Sequence, residues 1–84
     1  MEKVRVEGKK VRVEVNPKFY SYEAVLLTKK VLKGVCQVSV RKKEDAILVS
    51  LKPKPKMKIN LETLGYEFYN YLLNSVKEMR LGLI

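Results

Sequence analysis

The residues of this chain best suited to recognition lie close together. Tyr66, Tyr69, Asn70, Leu73 and Asn74 all fall within NLETLGYEFYNYLLNSVKEMR, residues 60–80. Tyrosine offers a broad ring with a hydroxyl at its tip, and asparagine an amide that both donates and accepts. Such side chains bind partners; by themselves they break no bonds. Histidine is absent, which removes the commonest general base and metal ligand. Cys36 is the single cysteine, so a Cys–His nucleophile, a zinc site of Cys/His type and an internal disulfide are all ruled out. Asp45 is the one aspartate, and the isolated glycines form no phosphate-cradling loop. The expectation is a non-enzyme with no catalytic residue, no metal and no cofactor.

A second set of residues is chosen by charge. The chain carries 18 Lys+Arg against 9 Asp+Glu, a net charge of +9. Residues 1–58 hold +10 of this and residues 59–84 hold −1, so the basicity is separate from the tyrosine-bearing stretch. A basic surface attracts polyanions, and Lys3, Arg5, Arg12, Arg41, Lys54 and Lys56 are the candidate anion or nucleic-acid contacts. The same composition also reads as a Lys-rich solubilising surface. Single-strand binders interleave aromatic and basic residues, whereas all five tyrosines here belong to helical stretches.

Two hairpins and two helices must position these residues. Val4 and Val6, then Val11, Val13 and Val15, alternate with charged residues around Gly8-Lys9, the pattern of a hairpin with its valines on one face. That register sets Arg5 against Arg12. After the Asn16-Pro17 break, a helix is predicted from about Ser21 to Lys33 with Ala24, Leu27 and Val31 on one face and Val25 and Leu32 near it. A second hairpin pairs Cys36, Val38 and Val40 with Leu51, Val49 and Ile47 around Lys43-Glu44. The Lys/Pro-rich segment 52–58 reads as a stiff, extended linker. The last helix follows, capped by Asn60 and stopped by Gly82, with the stripe Leu61, Leu64, Phe68, Leu72, Val76 and Met79. Tyr66, Tyr69 and Leu73 lie around its side and are expected to stay accessible.

Phe19 onward resembles a known family. YSYEAVLLTKKVL is similar to the first helix of the HxsD family, the D protein of the His-Xaa-Ser system. FYNYLLNSVKEMR resembles that family's Asn-x-Leu-Leu-Asn/Asp helix through Asn70, Leu72, Leu73 and Asn74. The resemblance covers about residues 19–80. It departs at Thr28-Lys29-Lys30, where the family has small residues and a Tyr, and at Lys77-Glu78, where it has Leu-Arg. It implies a protein that accompanies radical-SAM peptide-modifying enzymes, and a binding role for the Asn70–Asn74 helix.

These readings combine into one expectation. Residues 1–84 form a single α+β domain of order ββαββα, a four-stranded, largely antiparallel sheet with two helices on one face and open strand order. The functional expectation is a non-catalytic accessory or adaptor protein that binds a protein or peptide partner. A small basic nucleic-acid binder and a structural homo-oligomer, such as a homodimer, are the alternatives. No apolar run is long enough to span a bilayer and the N-terminus lacks a signal-peptide pattern, so no membrane association and a cytoplasmic location are expected.

Overall fold

The chain reverses first at Gly8, whose φ of +61° suits a residue without a Cβ. A computed structural model describes residues 3–82, Lys3 through its backbone alone. Strand β1 (Lys3–Glu7) and strand β2 (Lys10–Val15) flank that turn. Their register pairs Val4 with Val13, Arg5 with Arg12 and Val6 with Val11, as the alternating valines predict. Helix α1 (Tyr22–Leu32), strands β3 (Cys36–Lys42) and β4 (Ile47–Pro53) and helix α2 (Leu61–Arg80) complete the order ββαββα. All the strands join one antiparallel sheet in the order β1-β2-β4-β3, so the fold is α+β.

Two corrections concern the second hairpin. Val40 pairs with Val49, Val38 with Leu51 and Cys36 with Pro53, a shift of two residues from the predicted register. The turn is centred on Glu44-Asp45, and Lys43 N donates to the Ala46 carbonyl at 2.8 Å. Asp is at home in tight turns, and an even shift keeps every side chain on its predicted face. Strand β4 therefore extends through Pro53, into the segment read as linker. The remainder of that segment is not straight: Met57 N donates to the Lys54 carbonyl at 2.8 Å. Pro55 holds the φ that the second position of such a turn requires.

Both helices pack on the valine-bearing face. Helix α2 crosses β1, β2 and β4, while α1 lies over β3 and against α2. One core gathers Val11, Val13, Val15, Ile47, Val49 and Leu51 from the sheet with Leu64, Phe68 and Leu72 from α2. Ser21 caps α1 by accepting from Ala24 N at 3.2 Å, and Asn60 caps α2 by accepting from Thr63 N at 3.0 Å. At the far end of α2, Gly82 has φ +73°, the left-handed stop expected of it.

The inner face of α1 differs from the predicted stripe. Ala24 is buried with Val25 and Leu32, which the spacing places near that face, but Thr28 joins them, Leu27 is only half-buried and Val31 is 58% exposed. Thr28 is admitted because its hydroxyl donates to the Ala24 carbonyl at 2.9 Å and lies 3.3 Å from the Ser75 hydroxyl of α2. A buried hydroxyl with its hydrogen bonds made carries little penalty. The small side chains of Thr28 and Ser75 thus meet in the seam between the helices.

Candidate functional site

The outer side of α2 carries most of the predicted recognition set. Leu64, Phe68 and Leu72 take the inward stripe, which turns Tyr66, Asn70, Leu73 and Asn74 away from the core. Tyr66 is 53% exposed and Leu73 is 52% exposed. Asn74 Nδ2 donates to Glu78 Oε1 at 3.0 Å, which fixes its amide along the helix.

Tyr69 does not belong with them, contrary to expectation. It is only 3% exposed, packs edge-on to Phe68 with ring centroids 6.3 Å apart, and donates from its hydroxyl to the backbone carbonyl of Glu14 in β2. The cause lies one turn earlier. A Cβ on Gly65 would lie 2.5 Å from Val4 Cγ1 and 3.1 Å from Val11 Cγ2, so the missing side chain lets α2 settle close to the sheet. That approach brings the i+4 residue over the C-terminal end of β2. The mid-helix glycine was the available signal.

Phe19 completes the surface and was not foreseen. The carbonyl of Asn16 accepts from Phe19 N at 3.0 Å and Tyr20 N at 3.1 Å, forming a short turn after β2. This turn presents Phe19, 68% exposed, beside the C-terminal half of α2. An open groove results, with Phe19, Tyr20, Leu73 and Val76 as its apolar lining, Asn70 and Asn74 as amides, and Lys77 and Arg80 as cations. Exposed large apolar side chains of this kind, rimmed by polar groups, mark interaction surfaces.

The candidate anion contacts divide. Arg5, Arg12 and Arg41 lie on the sheet face opposite the helices, and Lys3 shares their register phase through its backbone pairing with Glu14; the Lys3 side chain lies outside the described residues. Lys54 and Lys56 are exposed on the turn beyond β4. Of the two cross-strand arginines, Arg12 is ion-paired, its Nε 3.3 Å from Glu7 Oε1.

No family model, curated protein or solved structure matches this chain. What the surfaces can do therefore follows from their own chemistry. Among the described residues, no three His, Cys, Asp or Glu side chains gather as a metal site. No helix of the described residues is long and apolar enough to cross a membrane. Cys36 is buried, and its thiol lies 3.6 Å from the Leu32 carbonyl. Burial raises its pKa above the ordinary 9.0, and the nearby Lys54 charge opposes this only in part. A thiol whose folded pKa is raised stabilises the fold below the unfolded pKa, and loses that contribution as pH rises through the folded value. Alkylation of Cys36 by iodoacetamide at neutral pH is expected to await unfolding. Labelling at the rate of a free thiol in the folded protein would show the core to be open there.

Proposed function

We propose that this chain is a non-catalytic adaptor that docks a protein or peptide partner in the groove between Phe19 and the outer side of α2. The supporting observation is the exposure of Phe19 and Leu73 side by side, next to Asn70 and Asn74, in one open groove. The resemblance of Asn70, Leu72, Leu73 and Asn74 to the HxsD helix supports a setting within a radical-SAM peptide-modifying system. Lys77 and Arg80 at the groove favour a partner segment that carries carboxylates beside its apolar residues. A second copy of this chain fits less well, since each copy brings a net charge of +9.

The test begins with the genes beside this one: a radical-SAM enzyme and a short substrate peptide found there are each titrated against the wild type, Phe19→Ser and Leu73→Ser, and a neighbourhood without them removes the radical-SAM setting. Both substituted side chains are solvent-exposed, so melting should change by no more than about 0.5 kcal/mol. Affinity for one of the two partners is expected to fall about tenfold or more, equivalent to about 1.4 kcal/mol. Wild-type protein that binds neither partner, or variants that bind as well as wild type, would remove this reading.

A further inference from the structure

We propose that the open face of the sheet binds the phosphate backbone of duplex nucleic acid without reading its sequence. This surface lies opposite both helices and is independent of the groove on α2. Strand register places Arg5 on β1, Lys10 and Arg12 on β2, Lys52 on β4 and Arg41 on β3 on this one face. Glu7 and Glu14 are the acidic residues among them. Glu7 is engaged by Arg12. Among the described residues, Arg5, Lys10, Arg41 and Lys52 make no ion pair, so four cations face solvent from neighbouring strands.

The neutral positions indicate the partner. Ser39 and Ser50 sit opposite each other and Gln37 lies beside Lys52, giving small hydrogen-bonding groups between the cations. They line a shallow groove across β2, β4 and β3 with Arg12 and Arg41 at its sides. Among the described residues, Leu48 is the one large apolar side chain on the face and no aromatic accompanies it. A protein–protein interface buries an apolar or aromatic centre, which this face lacks. Single-stranded nucleic acid needs stacking platforms, which it also lacks. A set of cations and hydroxyls without either is suited to phosphates, whose contacts position a protein without specifying bases.

Shape limits the mode further. Strands spaced about 4.8 Å apart make four of them roughly 14 Å across. The major groove, about 12 Å wide, admits a helix or a two-stranded ribbon. A four-stranded face rests across the phosphate ridges instead, which accounts for an expected indifference to sequence.

Fluorescence anisotropy with random-sequence DNA and RNA duplexes, from about 50 to 200 mM salt, tests the proposal. Four to six phosphate contacts give a slope of log affinity against log salt of roughly −3 to −5. Arg5→Glu/Arg41→Glu should reduce the slope by about two units, at unchanged circular dichroism. Lys29→Glu/Lys30→Glu makes the same charge change on exposed α1 positions and should leave the slope unchanged. Should the charge reversal disturb folding, Arg5→Gln/Arg41→Gln supplies the same comparison with a milder change. No binding at low salt, an equal loss from the α1 pair, or tighter binding of poly-glutamate through the same arginines would overturn the proposal. Because none of these residues lies in the α2 groove, failure here leaves the adaptor reading standing, and failure there leaves this one.

Discussion

Phe68→Ala is expected to lower the stability of this protein by about 3–5 kcal/mol, the cost of removing a fully buried aromatic ring. Phe68 has no exposed surface and lies among Leu64, Tyr69 and Leu72 where α2 meets the sheet. A domain of 84 residues has a total stability of roughly 4–13 kcal/mol. The substitution therefore removes a large share of it, and at the lower end of that range the chain no longer folds. Chemical denaturation read by circular dichroism provides the measurement. A shift equivalent to less than about 1 kcal/mol would mean that the site collapses around the missing ring, and that the contact between α2 and the sheet is not organised by Phe68.

The first hairpin was legible because its signals agree: valines at every second position, a glycine where the chain must reverse, and opposite charges at Lys3–Glu14 and Glu7–Lys10. The second hairpin was legible in its faces and not in its pairing. Lys43, Glu44 and Asp45 offer several polar turn positions and no glycine, so the pattern accepts registers that differ by two. Strand order was not legible at all. It depends on where β4 docks, between β2 and β3, and the inward-facing residues of all the strands are similar apolar side chains.

Helix positions were read from apolar spacing, which favours large side chains and overlooks small ones. Thr28 was overlooked for that reason, although a threonine that bonds back to its own helix can serve where two helices meet closely. The basic sheet face was legible from alternation by two, because the structure keeps each residue on its predicted side. The groove was only half legible. Leu73, Asn70 and Asn74 follow from helical phase, but Phe19 reaches them from a turn whose path no periodicity describes.

Tyr69 gives the sharpest separation between core and surface on α2. Tyr69→Ser removes the ring and the hydroxyl together, and the expected loss is about 3–5 kcal/mol, comparable to truncation of Phe68. Tyr69→Phe keeps the ring against Phe68 but withdraws the hydrogen bond to the Glu14 carbonyl, a loss of about 0.5–1.5 kcal/mol. Leu73→Ser, one turn further along, changes a half-exposed side chain and should fall within about 0.5 kcal/mol of wild type. Parallel thermal melts of the three variants read this order directly. It arises from backbone approach: α2 comes close to β1 and β2 at Gly65, and the side chain four residues later is drawn beneath the helix. Gly65→Leu should therefore destabilise through the same contact, by about 1–3 kcal/mol of overpacking against Val4 and Val11. A Tyr69→Ser protein that melts with the wild type would mean that the ring is not needed to hold α2 on β2, and would return Tyr69 to the accessible surface where its spacing first placed it.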